Sequence, residues 1–91
     1  MTDPVYVTWK LDVAGAGKLE KKMITAVPEP NGELVIDLSD CSFVASSGLR
    51  VLLKKAQQLA SNGGDLVVTG ANATVLEVLK VSGFSRIITV R

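Results

Sequence analysis

The most informative stretch of the sequence is residues 33–53, which read ELVIDLSDCSFVASSGLRVLL. It opens with a continuous apolar run that ends in an aspartate, a pattern typical of a buried strand in a parallel sheet. It closes with Ser-Ser-Gly followed by leucines at helical spacing. A buried strand, a short loop and an amphipathic helix in this order predict one unit of an α/β fold.

The flanking segments repeat this alternation of strand and helix. The predicted strands are residues 5–11, 33–38, 65–69 and 87–90, and the predicted helices are residues 14–27, 49–60 and 74–81. Strands that alternate with helices in this way are joined by right-handed crossovers and run parallel. The sequence therefore predicts an α/β fold with a four-stranded, mostly parallel sheet and about three helices mainly on one face.

The boundaries of these elements rest on particular residues. The segment 28–32, PEPNG, ends the first helix, because two prolines and an Asn-Gly pair cannot continue it. Thr74 and Glu77 have the spacing of a capping box, which predicts that the last helix begins there. The residues expected to face the core from the first strand and the first helix are Val5, Val7, Trp9, Leu11, Ala16, Leu19, Met23 and Val27.

Length and composition exclude several classes of function. A chain of 91 residues predicts a single domain over residues 1–91. There is no histidine, and the one cysteine, Cys41, cannot form an internal disulfide. We therefore expect no catalytic triad, no enzyme activity, no cofactor, and no metal site built on imidazole or on several thiolates. The net charge of +1 argues against direct nucleic-acid binding. With no membrane-spanning run and no visible signal peptide, we expect a cytoplasmic protein that does not insert into membranes.

The start of the helix after the central strand is the most distinctive local feature. Ser46 or Ser47 is predicted to be its N-cap, and one interpretation gives the serines that role alone. The other interpretation is functional, because a helix N-terminus tolerates an attached phosphate and Gly48 would leave the backbone open to a partner. Asp37 and Asp40 are either a metal pair or acceptors for loop N–H groups.

The order and spacing of these segments resemble the STAS domain of bacterial anti-sigma factor antagonists. The resemblance rests on the strand that ends in Asp-Leu-Ser, the aromatic Phe43 in the loop, Ser-Ser-Gly-Leu at residues 46–49 and the Leu-Leu pair that follows. Gly63-Gly64, the DLVVT strand and Ser82-Gly83-Phe84 also fall where that family has counterparts. The family motif Asp-Ser-Ser-Gly aligns with residues 45–48, where this chain has Ala45 in place of the aspartate.

The resemblance implies a regulatory binding protein that frees a sigma factor. Such proteins bind a serine-kinase anti-sigma factor, which phosphorylates the first serine of the motif, and a serine phosphatase reverses the change. That serine is Ser46 in this chain. The residues expected to contact the partner are Cys41, Ser42, Phe43, Val44, Ala45, Ser47, Gly48 and Arg50.

Two departures from the family pattern favour other arrangements. Ala45 removes a carboxylate next to Ser46, which favours an alternative: a constitutive STAS subunit that supports the ATPase of an ABC-type lipid transporter. The sequence also shows no counterpart of the family's first strand before Val5 or of its last helix after Val90. The second loss would expose apolar sheet surface, which predicts a homodimer or a partner helix as its cover.

Overall fold

The computed structural model describes residues 4–26, 28 and 32–91. Val27 and most of the segment that ends the first helix, residues 29–31, lie outside the described residues, as do residues 1–3. The elements in chain order are β1 (Val5–Tyr6), α1 (Val13–Thr25), β2 (Glu33–Asp37), α2 (Ser46–Ser61), β3 (Asp65–Thr69), α3 (Ala73–Val81), a 3₁₀ turn (Phe84–Arg86) and β4 (Thr89–Val90).

The four strands form one parallel sheet in the order β1-β2-β3-β4, which confirms the predicted fold class. β2 and β3 pair along their full length, from Glu33 opposite Asp65 to Asp37 opposite Thr69. The edge strands β1 and β4 each contribute two paired residues. Because every crossover steps to the next strand in the same direction, right-handed connections place the three helices on one face.

One hydrophobic core lies between the sheet and the helices. The strands contribute Leu34 and Ile36 from β2 and their neighbours on β3, and each helix adds a stripe of apolar side chains. The central residues, all with less than 2% of their surface exposed, include Leu11, Leu19, Leu52, Leu66, Val68, Val75 and Leu79. Burial of this kind contributes about 25 cal/mol for each Å² of apolar surface removed from water.

The opposite face of the sheet carries polar side chains in pairs. Arg91 donates to Glu33 at 2.9 Å, and the hydroxyl of Thr89 donates to the carboxylate of Asp65. Tyr6 is its exposed aromatic residue, with 52% of its surface accessible. These polar pairs interrupt the apolar surface that the sequence predicted there, and the homodimer stays a prediction.

The edge strands are shorter than the sequence predicted. Beyond Tyr6 the chain leaves the ladder, although Val7 and Leu11 stay buried and Leu11 forms an isolated parallel bridge with Val44. The prediction of a strand over 87–90 was wrong at its start. The carbonyl of Phe84 accepts the N–H groups of the next two residues beyond the 3₁₀ turn, so these cannot join the sheet.

The capping box predicted for the last helix was also wrong. Asn72 is the N-cap of α3, and its side-chain oxygen accepts the N–H of Val75 at 2.8 Å. Thr74 is therefore already inside the helix. Asn is among the strongest N-cap residues, so it sets the start of α3 ahead of the Thr-Glu pair.

The entry into α1 is fixed by contacts around Gly15. Asp12 caps the helix by accepting the N–H of Gly15 at 2.8 Å, and the indole of Trp9 donates to the carbonyl of Gly15 at 3.0 Å. The ammonium group of Lys18 lies 4.4 Å from the centre of the Trp9 ring, a cation–π distance. A Cβ on Gly15 would lie 1.8 Å from the carbonyl oxygen of Lys10, so only glycine fits there.

Candidate partner-binding site

The loop after β2 begins with a hydrogen-bonded turn at Asp37. One carboxylate oxygen of Asp37 accepts both the backbone N–H and the hydroxyl of Ser39, at 2.9 and 2.5 Å. These two bonds stabilise the ionised carboxylate and lower the pKa of Asp37 below its ordinary value. Asp37 is thus an acceptor for loop groups, one of the two roles that its sequence position suggested.

The loop between β2 and α2 is held against its neighbours by backbone hydrogen bonds. Leu11 donates its N–H to the carbonyl of Phe43, and its own carbonyl accepts the N–H of Ala45, both at 2.8 Å. The amide of Asn72 donates to the carbonyl of Cys41 at 3.4 Å. The loop is therefore attached to both the β1–α1 connection and the start of α3, and it presents Ser46 on a fixed support.

The first turn of α2 has no side-chain cap. Ala45 is the N-cap residue, and its methyl group cannot accept a hydrogen bond. Ser46 and Ser47 are the first two helical residues, so the prediction that one of them caps the helix was wrong. The hydroxyl of Ser46 is consequently free of that structural role, and Ser46 is exposed while Ser47 is half-buried.

Gly48 is buried, and its contact is internal. A Cβ at this position would lie 2.8 Å from the Cβ of Leu11 and 3.1 Å from its carbonyl oxygen. The glycine therefore allows α2 to pack closely on the segment after β1. This corrects the expectation that Gly48 opens the backbone to a partner.

Some of the residues that the sequence predicted as partner contacts are buried in the structure, and others are accessible. Cys41 and Val44 are buried, with 1% and 4% of their surfaces exposed, so their side chains belong to the core, as Gly48 belongs to the interior. Phe43 keeps 46% of its surface exposed. The accessible group around Ser46 consists of Ser42, Phe43 and Arg50, with Ala45 and Ser47 half-buried beside them.

The basic side chains of α2 have different environments. Arg50 is exposed one helical turn beyond Ser46, and its position four residues along places it on the same side of the helix. Lys55 instead donates to the carbonyl of Met23 at 3.0 Å, in the last turn of α1. Lys55 ties the two helices together, a role its sequence position did not indicate.

A groove between α1 and α2 extends away from Ser47, and sequence reasoning missed it. Its two contiguous parts have volumes of about 490 and 310 Å³. Val13 and Ile24 border it from α1, and Val51 and Leu53 border it from α2. The missed signal was the pair of apolar residues on α1, Val13 and Ile24, that lie off the core stripe. We call this feature the α1–α2 groove.

The described residues contain neither a cluster of metal-ligating side chains nor a membrane-spanning helix. No group of three or more His, Cys, Asp or Glu side chains within them could hold a metal. Asp37, one half of the aspartate pair considered as a metal site, is already engaged with Ser39. None of the helices in this part of the chain has both the length and the apolar character needed to cross a membrane.

Comparison with known families identifies the fold. A family model described as "Mlab, STAS domain" matches residues 4–89, nearly the whole chain. The chain belongs to the STAS domain family. Its parallel sheet, its helices and the loop that leads to Ser46 are thus features of a STAS domain, as the sequence resemblance predicted.

Two proteins similar to this chain are named as anti-sigma factor antagonists. BtrV of Bordetella bronchiseptica, named as an anti-sigma factor antagonist, is 36% identical over 77 residues, which are 85% of this chain and 66% of that protein. The crystal structure of a Thermotoga maritima protein, also named as an anti-sigma factor antagonist, superposes with a TM-score of 0.79 at 21% identity. That match covers 91% of this chain and 72% of the other.

The same fold also occurs in a different setting. The STAS domain of a Vibrio cholerae SulP transporter superposes with a TM-score of 0.66 at 22% identity, over 99% of this chain and 74% of that domain. Structural likeness at this level of identity shows the fold alone. The chain also spans slightly less than two thirds of the length of BtrV, at 66%.

Proposed function

We propose that this STAS domain is an anti-sigma factor antagonist of the bacterial cytoplasm, a binding protein without catalytic activity of its own. It binds a serine-kinase anti-sigma factor, phosphorylation of Ser46 releases that partner, and a serine phosphatase restores binding. The observation that carries the proposal is the position of Ser46. Its hydroxyl is exposed at the first residue of α2, free of any capping role, with Phe43 and Arg50 accessible nearby.

The proposed interface suits a neutral hydroxyl. Around Ser46, Ser42 offers a polar group, Phe43 an aromatic anchor and Arg50 a cation. Aromatic residues, phenylalanine among them, and arginine are enriched at protein–protein interfaces. A phosphate on Ser46 would bring a charge of about −1.5 to −2 into this contact. Removing that charge from water without a matching cation on the partner would weaken the complex.

The free protein can accept the same phosphate without loss of its fold. The N-terminus of α2 carries a partial positive charge, which favours an anion by about 0.3–1 kcal/mol. Arg50, four residues after Ser46, lies within reach of a phosphate on the same side of the helix. Phosphorylation is thus expected to weaken binding to the partner much more than it changes the stability of the fold. A phosphate that pairs with Arg50 would also make that side chain unavailable to the partner.

The effect of a charge at Ser46 tests this separation. We expect Ser46→Asp to weaken binding about tenfold or more, while the free energy of unfolding changes by less than about 0.5 kcal/mol. Ser46→Ala is the matched control, and it should keep both binding and stability because Ser46 is not the N-cap. The partner is first isolated from native lysate and identified by mass spectrometry, and the affinities are then measured by calorimetry.

Two results would contradict the proposal. One is equal affinity of the parent protein and Ser46→Asp for an identified anti-sigma factor. The other comes from incubation of the protein with that kinase and ATP, followed by peptide mapping. Phosphate found only on Ser47, or only on Ser39 or Ser42, would remove Ser46 from the switch.

A second candidate function is favoured by Ala45. This residue leaves the first turn of α2 without a side-chain cap and without the carboxylate that the family motif places before the serine. A constitutive STAS subunit that supports the ATPase of an ABC-type lipid transporter would need no kinase recognition at this point. Capture of such an ATPase, with an affinity that Ser46→Asp leaves unchanged, would favour this function over the switch.

A further inference from the structure

The α1–α2 groove is built from two matching stripes of residues. On α1 the stripe is Val13, Gly17, Glu20 and Ile24, and on α2 it is Ser47, Val51, Lys54 and Gln58. Both stripes follow the spacing of four, three and four residues that aligns side chains along one side of a helix. A third helix packs against two others through such stripes. From Val13 to Ile24 the groove is about 16 Å long, or about three helical turns.

The groove exposes apolar surface that the fold does not use. Val13 and Ile24 keep 80% and 77% of their surfaces accessible, while the core stripe of the same helix is buried. Gly17 lies between them, and a Cβ built there would have no heavy atom within 4 Å other than those of its chain neighbours and the nearby backbone of α1. A glycine inside a helix costs about 1 kcal/mol relative to alanine. Because no contact among the described residues requires a glycine here, Gly17 leaves room for the close approach of another chain.

The charge around the groove indicates the chemistry of that chain. The helices α1 and α2 carry six of the ten Lys and Arg residues of the protein but only one of its nine acidic residues, Glu20. The rest of the sequence holds four basic and eight acidic residues. The net charge of +1 therefore conceals a basic helical layer, and Arg50 and Lys54 border the groove itself.

We propose that the α1–α2 groove binds an amphipathic helix of a partner protein, with an apolar stripe flanked by acidic residues. The apolar stripe would contact Val13, Val51 and Ile24, with its backbone closest at Gly17, and the acidic flanks would meet Arg50 and Lys54. A second copy of this face would bring two basic layers together. An anionic membrane surface matches the charge, but it does not match a concave channel between two helices.

This inference deepens the proposed function, on which it rests for the identity of the partner. The groove begins at Ser47, directly beside Ser46. A partner helix seated in it would end next to the proposed phosphorylation site. The groove would then supply most of the apolar contact area, and Ser46 would control whether the end of the helix can dock.

The groove can be tested with a synthetic probe on the full chain. The probe is a capped amphipathic peptide of about four helical turns, with leucines at spacings of four and three residues and glutamates on both flanks. We expect saturable changes in the NMR amide shifts of Gly17, Val51 and their neighbours. A matched peptide with lysine in place of each glutamate should bind about tenfold more weakly or worse, because it meets the basic layer.

Two substitutions on α1 complete the test. Gly17→Leu fills the groove where a side chain meets open space, and it should lower the affinity for the acidic peptide about tenfold or more. Ala14→Leu places the same leucine side chain at an exposed position of the same helix outside the groove, and it should bind as the parent does. Equal binding by Gly17→Leu, or equal binding of both peptides, would overturn the proposal.

Three further outcomes would show that the groove binds something other than a partner helix, or would separate the groove proposal from the proposed function. Binding to phosphatidylglycerol vesicles without peptide binding would assign the face to a membrane. Self-association that Gly17→Leu abolishes would assign it to a second copy. If Ser46→Asp loses the captured partner but Gly17→Leu keeps it, the proposal of a groove-bound helix is overturned and the phosphorylation switch is not. If Gly17→Leu loses the partner but Ser46→Asp keeps it, the switch is overturned and the groove proposal is not.

Discussion

Ala45 occupies the position at the start of α2 where a side chain most directly affects helix stability. Its backbone has the extended geometry of an N-cap, with φ −92° and ψ 171°, but its methyl group satisfies none of the free N–H groups. We expect Ala45→Asp to raise the free energy of unfolding by about 0.5–2 kcal/mol, because aspartate accepts a hydrogen bond from the first turn and complements the helix dipole. Urea denaturation measures the change. Ser47→Asp, which adds the same charge two residues later, is the control for the dipole effect alone.

The pKa of Asp37 predicts how stability depends on pH. The hydroxyl and N–H of Ser39 bind the ionised form, so the pKa in the folded protein lies below the ordinary value of 3.8. A lowered pKa means that the folded state binds the proton less readily than the unfolded state does. The stabilisation is therefore complete above about pH 4 and is lost as the pH falls through the folded value.

A substitution isolates this contribution. Asp37→Asn keeps an oxygen acceptor for Ser39 but removes the charge, so it should be less stable than the parent at pH 7. Denaturation at a series of pH values should show the difference shrinking as the parent is protonated below about pH 4. A constant difference down to about pH 2 would mean that the Asp37 carboxylate is not the titrating group.

At the scale of the element, α1 contains two glycines with opposite roles. Gly15 touches the backbone of Lys10, whereas Gly17 faces open space. The same substitution should therefore change stability in opposite directions. Gly17→Ala should raise the free energy of unfolding by up to about 1 kcal/mol, because alanine has the higher helix propensity. Gly15→Ala should lower it by about 1–3 kcal/mol, because the backbone must move to admit the methyl group.

Both variants can be compared in one thermal denaturation series. The sign of each shift in Tm is the decisive quantity, since the two positions are only two residues apart on one helix. A loss of stability in Gly17→Ala would show that the position is not open in solution. That result would also weaken the case that Gly17 makes room for a partner.

Sequence periodicity was sufficient for the long elements but not for the caps. The continuous apolar runs of β2 and β3 and the leucine spacing of α2 predicted those elements, because each is decided by a local pattern. The N-caps were harder, since Ser46, Ser47 and Thr74 are all favourable cap residues. Asn72 caps α3 because it is the stronger cap residue, whereas the tertiary path of the chain places Ala45 at the start of α2.

The candidate site was predictable where it depends on one segment and not where it depends on two. The position of Ser46 at the start of a helix followed from residues 33–53 alone. The burial of Gly48 against Leu11 joins residues far apart in the sequence, as does the bond from Lys55 to the carbonyl of Met23. The α1–α2 groove has the same origin, because neither helix contains it by itself.

At the scale of the whole molecule, one core supports both the loop that leads to Ser46 and the α1–α2 groove. It joins side chains from β1 to the residues beside β4, and Leu52 lies at its centre with no exposed surface. We expect Leu52→Ala to lower the free energy of unfolding by about 2–5 kcal/mol, the cost of a cavity at a buried leucine. A domain of this size has a total free energy of unfolding of only about 5–15 kcal/mol, so the variant should be marginally stable.

Urea denaturation measures the loss, with Gln57→Ala on the exposed side of α2 as the control. A loss below about 0.5 kcal/mol would mean that Leu52 does not face the core. Fluorescence of Trp9 and circular dichroism should report the same transition, because α1 and α2 share this core and cannot unfold separately.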